Sequence, residues 1–392
     1  MSLSEQALAG ALSIADLRRI ARRRLPRAVF EFIDGGSEDE LTLAENRRAF
    51  ERRRIVRRVL VDVSEPSMRT SLLGAPTAAP FVIAPMGSCA LAWPEADLAI
   101  ARAACAAGIP YTLSTMSTTS IERMAQAVPG RLWFQLYVLR EQASTDKLVE
   151  RAAAAGYEAL AVTVDLQAGG KRERDLRNGI SLPPKMSARH VFDGMLHPSW
   201  ALQMLRAGLP QFENVRGLLG DEGAGPTIAA RVGQNLNPAW NWDDLARLRD
   251  RWPRKLLVKG VEHPDDARKM VAMGVDALWV SNHGGRQLDG AIASADALPR
   301  IADAVGGKAE ILVDSGVRRG IDALKARALG AGAVAIGRAA LFGAAAGGEA
   351  GARRAIEILT GELALAMKLS GTPDIDSVGR ALLDGESTQG GD

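Results

Sequence analysis

Residues 255–283 read KLLVKGVEHPDDARKMVAMGVDALWVSNH. An apolar run, Lys255–Lys259, is followed by an amphipathic helical stretch, Asp265–Met273, and then by a second apolar run, Ala277–Ser281. That order is a strand–helix–strand unit. Both runs are apolar on successive rather than alternate residues, which marks strands buried on both faces, as in a parallel sheet covered by helices. Each run also ends on chemistry: Lys259 in one case, Ser281 with His283 just beyond it in the other.

The same alternation extends outward in both directions from about residue 79. Further strand candidates are Pro80–Pro85, Tyr111–Ser114, Leu132–Val138, Ala159–Asp165, Glu310–Asp314 and Ala333–Gly337, with helical patterns such as Pro94–Ala107 and Glu141–Ala155 between them. Strand–helix units repeated through residues 79–370, with no sign of a reversal in strand order, predict an α/β fold, a TIM (β/α)8 barrel. Residues 1–78 form an N-terminal helical extension: an amphipathic helix after Ser13, then one beginning near Pro26 and broken by Gly35-Gly36. The connection after the fourth strand, residues 166–240, is anomalous. Such loops normally need about two to six residues, and one this long is functional or disordered. The chain is read as a single domain over residues 1–392 with this long insert.

At 47% hydrophobic and 24% charged, the 392 residues have the composition of a globular chain with a sizeable core, which excludes a disordered one. Cys89 and Cys105 form no metal-ligand spacing and no disulfide framework, as expected in a reducing cytoplasm. The formal net charge is +3, yet six arginines fall within residues 18–27 and a second cluster runs from Arg47 to Arg58. Acidic residues are interleaved downstream and no stacking aromatics accompany the arginines, so a solvated helix face is expected there and no nucleic-acid partner. No apolar signal core opens the chain and no run is long enough to span a bilayer, so neither secretion nor a transmembrane helix is expected.

A barrel of this kind carries its active site at the C-terminal strand ends. There fall Gly87, Ser114, Gln135 with Tyr137, Thr163 with Asp165, Lys259, Ser281 with His283, Asp314, and Arg338. Water at strand ends accounts for polarity, but not for a lysine, a histidine and an aspartate converging on one rim. In Ser281-Asn282-His283-Gly284-Gly285-Arg286 two glycines permit a tight turn, so that both side chains face one ligand. Histidine suits general-base work near neutral pH, and a guanidinium grips a carboxylate through two parallel hydrogen bonds. Asp165 is the natural partner for an imidazolium. Arg172, within the charged run KRERD, is either a second clamp or loop surface. Asp314-Ser315-Gly316-Val317-Arg318-Arg319-Gly320 and Gly337-Arg338 follow the seventh and eighth strands, where TIM barrels recurrently bind phosphate. No G-x-G-x-x-G follows a strand at the chain start, so a dinucleotide fingerprint is absent. A phosphate-ligand binding barrel without redox chemistry fits the phosphate segments as well.

Together these segments resemble the FMN-dependent α-hydroxy acid oxidoreductases, the family that includes glycolate oxidase, L-lactate dehydrogenase and (S)-mandelate dehydrogenase. The resemblance runs from LPRAVFEFIDGG to GRAALFG, with SNHGGRQLDG the most specific motif and WFQLYVLR, LLVKG and DSGVRRG in support. It implies an FMN cofactor and an (S)-2-hydroxy acid substrate oxidised to the 2-keto acid, mandelate-like by its motifs. His283 would be the base, held by Asp165; Arg286 and Arg172 would bind the substrate carboxylate and Tyr137 would hydrogen-bond the substrate. Lys259 would sit by the flavin N1 and O2. The backbone of Ala84, Pro85, Met86 and Gly87 would lie against the flavin ring, with Ser114, Gln135, Thr163 and Ser281 also in contact with it. Asp314 would hold the ribityl chain, and Gly316, Arg318, Gly337 and Arg338 the phosphate.

Two positions depart from the family pattern. Phe32 stands where a second substrate-binding tyrosine is usual, and it lacks the hydroxyl. Gly87 is similar to the dehydrogenases, where oxidases carry alanine, which implies an acceptor other than oxygen, such as a membrane quinone. Residues 191–215 resemble the membrane-associating insert of (S)-mandelate dehydrogenase. Met195, Leu196, Trp200, Met204, Leu205, Leu209 and Phe212 are interspersed there with polar residues, and eight basic against four acidic residues lie between Lys171 and Arg216. That combination suits an interfacial segment on anionic lipid, the alternative being a lid over the barrel mouth. The expected location is peripheral, on the cytoplasmic face of the inner membrane, or else cytoplasmic. The resemblance further implies a homotetramer, and the alternatives are an L-lactate dehydrogenase or a hydroxymandelate oxidase using oxygen.

Overall fold

The computed structural model describes residues 3–179, 187–208, 210–216 and 233–385. Eight parallel strands close into a barrel: β1 (Phe81–Ile83), β2 (Tyr111–Ser114), β3 (Leu132–Leu136), β4 (Ala159–Thr163), β5 (Lys255–Val261), β6 (Ala277–Val280), β7 (Glu310–Val313) and β8 (Ala333–Ile336). Each pairs with its neighbour in sequence, and β8 returns to pair with β1. All eight positions are those read from the apolar runs. Most strands stop a residue or two before the run does, because the chain there turns into the loops of the rim. β5 instead runs two residues further than expected, to Val261, through a register shift against β6 between Lys259 and Val261.

The barrel interior is a packed core. Trp133 and Trp279 fill it against alanines at 159, 161, 277, 333 and 335. The small residues leave the volume that the two indoles occupy, which keeps density high without strain. A hairpin of Thr70–Leu72 with Ala75–Thr77, unmarked in the sequence reading, brings Leu72 and Leu73 into the same cluster and so closes the floor. A second, larger core lies between the strands and the surrounding helices.

The lead-in contains helix Ile14–Arg24, whose N-cap Ser13 accepts from the Asp16 N–H, and helix Arg27–Asp34, which ends at Gly35 as expected. A further helix, Leu41–Glu51, follows. Phe30 stacks on Phe342 of the final helix, Arg338–Ser370, with ring centroids 6.3 Å apart. That contact places the second lead-in helix over the barrel mouth, at the end where β8 delivers its loop.

In the long connection, helices Ala188–Leu196 and Pro198–Ala207 stand on the rim. The apolar residues of this stretch divide into two sets. Trp200 and Phe212 pack against the core, and the Trp200 indole donates to the Leu91 carbonyl at 2.8 Å. Val191, Phe192, Met195, Leu196, Leu202 and Leu205 are exposed, Leu205 at 81%. Leu209 lies outside the described residues, as do 180–186 and 217–232 of the same connection. Asn214 anchors the end of the stretch: its Oδ1 accepts from the Ile121 N–H at 2.8 Å and its Nδ2 donates to the Ser114 and Thr119 carbonyls. Among the described residues no helix is long and apolar enough to cross a membrane.

Candidate active site

The strand ends surround a cavity that opens at the barrel mouth. Ala84, Pro85, Met86 and Gly87 line it from β1; Gln135 and Tyr137 from β3; Thr163 from β4; Lys259 from β5. His283 and Arg286 line it from the loop after β6, Asp314, Gly316 and Arg318 after β7, and Gly337 and Arg338 after β8. Arg172 reaches it from the long connection and Phe32 from the lead-in.

His283 is the best-supported side chain in the cavity. Its Nδ1 lies 3.1 and 3.2 Å from the two Asp165 carboxylate oxygens, and its Nε2 lies 3.2 Å from the Tyr137 hydroxyl. The imidazole is therefore held on one edge by an anion while the other edge faces the cavity. Its backbone is left-handed, φ +59°, and Gly284 and Gly285 continue at +68° and +70°. A side chain on Gly285 would come within 2.6 Å of the Leu43 backbone nitrogen, so the turn that aims His283 needs glycine there. Strain of this kind at a residue with chemistry persists only where the surroundings hold it. Here the Ser281 hydroxyl accepts from the His283 N–H at 3.0 Å.

Burial lowers the His283 pKa from its ordinary value, while Asp165 acts to raise it. Burial acts to raise the Asp165 pKa, yet His283 and Lys259 outweigh it and the carboxyl titrates below its usual range. The pair is thus a neutral imidazole against a carboxylate near neutral pH. Burial pushes the Tyr137 phenol well above its ordinary pKa, so it stays a hydrogen-bonding hydroxyl.

Lys259 is buried between polar partners, donating to the Ser281 hydroxyl at 2.7 Å and standing 3.3 Å from the Asp314 carboxylate. Gln135 links Ser114 and Thr163: its Oε1 accepts from the Ser114 hydroxyl and its Nε2 donates to the Thr163 hydroxyl at 2.9 Å. Ser114, Ser281 and Asp165 thereby stand behind the cavity wall, supporting the residues that line it.

Four arginines converge here. Arg286 donates to the Phe32 and Gly35 carbonyls at 2.8 and 3.1 Å and stands 5.2 Å from the centre of the Phe32 ring. Arg338 donates to the Ile33, Gly284 and Gly35 carbonyls. Burial and then Arg286 push Arg172 down to about 9. Burial and then Arg47 push Arg318 down to about 10. Burial, then Arg286 and Arg318, hold Arg338 well below its ordinary value. Guanidiniums that depress one another in a buried space leave positive charge for an anionic ligand to balance. Gly337 also opens the final helix, whose N-terminal dipole end favours an anion. A phosphorylated cofactor together with a carboxylate substrate fits this donor set.

Ile33, Met116, Leu166 and Gly169 also line the cavity and were not picked out from the sequence. Leu166 directly follows Asp165 and was within reach of strand-end reasoning. Ile33 and Met116 carry no charge or periodicity to flag them.

The FMN-dependent dehydrogenase family model matches residues 21–385. The (S)-mandelate dehydrogenase of Pseudomonas putida is 41% identical over 374 residues, 95% of this chain and 94% of that protein. The L-lactate oxidase of Nostoc sp. is 43% identical over 381 residues, 96% of this chain and 99% of that protein. A crystal structure of the monotopic membrane protein (S)-mandelate dehydrogenase matches with a TM-score of 0.89 at 41% identity, covering 96% of this chain and 100% of that one. With eight strand ends converging on a basic cavity, and a family model running nearly its whole length, the chain belongs to the FMN-dependent dehydrogenases.

Proposed function

We propose that the protein oxidises an (S)-2-hydroxy acid of mandelate type to the 2-keto acid and passes the electrons to a membrane quinone. The observation that carries this reading is His283, held by Asp165 on one nitrogen and facing Tyr137 and the cavity with the other, beside the guanidiniums of Arg172 and Arg286. Bound FMN supplies the two-electron acceptor for the oxidation. Arg286 and Arg172 hold the substrate carboxylate, and the Tyr137 hydroxyl fixes the substrate's orientation. His283 Nε2 takes the proton that the substrate releases, from the hydroxyl or from the α-carbon, and Asp165 stabilises the imidazolium that results. Lys259, itself shielded from water beside Ser281 and Asp314, would offer positive charge to the bound cofactor. Arg318, Arg338 and the backbone at Gly316 and Gly337 hold the phosphate. Asp314, Gln135 and Thr163, with Ser114 and Ser281 behind them, and the backbone at Ala84 to Gly87 complete the cofactor site.

The exposed apolar residues between Val191 and Leu205, within a stretch of net positive charge, support peripheral contact with an anionic membrane surface. A lactate substrate is the second reading, favoured by the likeness to L-lactate oxidase. Anaerobic bleaching of the flavin by lactate, glycolate, mandelate and 4-hydroxymandelate, followed by reoxidation with oxygen or a quinone analogue, tests both. Fastest bleaching by mandelate and slow reoxidation in air are expected. Preference for lactate, or reoxidation in air as fast as turnover, overturns the corresponding half of the proposal.

A further inference from the structure

Glu262 is a carboxyl group that the chemistry above does not use. It follows β5 directly, and the way β5 ends determines where it points. Along a regular strand, side chains alternate between faces, so Lys259 and Glu262 would lie on opposite sides. The register shift at Gly260 inserts one residue and reverses that alternation. Gly260 has φ +100°, and a side chain there would come within 2.5 Å of Asp165 Cβ, so the bulge presses directly on the residue that holds His283. Beyond it Val261 enters the core between strands and helices, and alternation from there assigns Glu262 to the side of Lys259.

The carboxyl lands among like charges. The charged groups that act on it are Asp165 beyond β4, Asp314 beyond β7 and Lys259 on β5. His263 and Asp265, the nearest titratable neighbours on its own segment, are exposed. Glu262 Oε1 is enclosed with no hydrogen-bond partner among the described residues. A half-buried carboxyl group with one enclosed, unpartnered oxygen is costly to ionise, which favours its holding the proton. Burial, then Asp165 and Asp314, push Glu262 up to about 7, against the opposing effect of Lys259.

We propose that Glu262 is a positioning residue for proton transfer: lying behind Asp165 across the β5 bulge, it sets through its own charge how strongly His283 holds the proton taken from substrate. The inference rests on His283 being the base. Below neutral pH Glu262 is protonated, and Asp165 alone faces the imidazole. As pH rises Glu262 releases its proton to solvent, a second negative charge joins Asp165, and the imidazolium formed in turnover becomes more favourable. His283 itself titrates below its ordinary value, so the two groups produce separate steps.

The test compares wild type, Glu262→Gln and Glu262→Asp for the rate of anaerobic flavin reduction between about pH 5.5 and 9. Bound-flavin absorbance and Tm serve as controls for folding. Wild type is expected to rise in two steps. Glu262→Gln should match it at the acid end and run about threefold to tenfold slower at the alkaline end, about half to one pKa unit's worth of basicity. Glu262→Asp, which keeps the charge, should retain the second step. Infrared spectroscopy of the wild type should show the carbonyl stretch of a protonated carboxylic acid that disappears near neutral pH and is absent from Glu262→Gln. Parallel pH profiles, or a loss in Glu262→Gln that is equal at every pH, overturn the proposal, as does a missing infrared titration. Normal flavin reduction by His283→Ala instead overturns the base assignment beneath it.

Discussion

Asp165→Asn is the sharpest probe of the His283 arrangement, because it removes one charge and hardly alters shape. In the folded protein the Asp165 carboxylate meets His283 Nδ1 at 3.1 and 3.2 Å, and both side chains are largely shielded from water. Once His283 has taken a proton, the charges sit about 4 Å apart, which is worth about 4 kcal/mol at the effective dielectric of a protein site. Only part of that charge has developed in the transition state, so about 2–4 kcal/mol of the stabilisation is lost. At 1.36 kcal/mol per factor of ten, flavin reduction should slow by about 30- to 1000-fold. Substrate affinity should change little, since Arg172, Arg286 and Tyr137 keep their places. Stopped-flow reduction of the bound flavin under anaerobic conditions, with substrate concentration varied, separates the two quantities. A rate within about threefold of wild type would show that Asp165 does not support the imidazolium, and the proton-transfer scheme would fall with it.

Four further outcomes follow from the same geometry. Arg286→Lys should lower kcat/KM more than about tenfold although charge is kept, because an ammonium cannot reproduce a planar, two-pronged grip; a smaller loss in steady-state assays refutes the clamp. Phe32→Tyr should lower KM for the hydroxy acid by about twofold to tenfold, the worth of one added hydrogen bond at the cavity mouth, and an unchanged KM shows that the ring does not face substrate. Gly87→Ala places a methyl 2.9 Å from Met116 Cβ beside the proposed flavin face; it should raise the rate of reoxidation by oxygen while His283-dependent reduction stays within about twofold, measured by stopped-flow after anaerobic reduction. Serine at Phe192, Met195, Leu196 and Leu205 should abolish sedimentation with anionic vesicles at low salt while leaving flavin reduction intact; failure of the wild type to sediment removes the interfacial reading.

What the sequence determined by itself follows from local rules. Eight apolar runs spaced by helical patterns were enough for a parallel barrel, because a strand covered on both faces writes that burial into every residue. The rim residues were legible for a related reason: contact with water explains polarity at a strand end, but not a lysine, a histidine and an aspartate on one rim, so Lys259, His283 and Asp314 stood out. Ser13 and Gly35 marked helix ends because capping is a matter of one or two residues. The floor hairpin at residues 70–77 left no such trace, since its strands are three residues each and too short for periodicity to show.

Other features depend on contacts between distant segments, and only the tertiary structure decided them. Arg172 could be clamp or loop surface in the sequence; folding brought it to the cavity beside Arg286, where burial and the neighbouring guanidinium lower its pKa. The 191–215 stretch read as one amphipathic segment, but packing split it into a half-buried set packed on the core, Trp200 and Phe212, and an exposed set around Phe192 and Leu205. Its apolar residues are alike in sequence and differ only in what faces them. Glu262 is the clearest case. In the sequence it is one acidic residue before a helix, yet a single inserted residue at Gly260 reverses its face and sets it among Asp165, Asp314 and Lys259. A glycine within a strand pattern hints at a bulge, but pairing with the neighbouring strand decides it, and that pairing is tertiary.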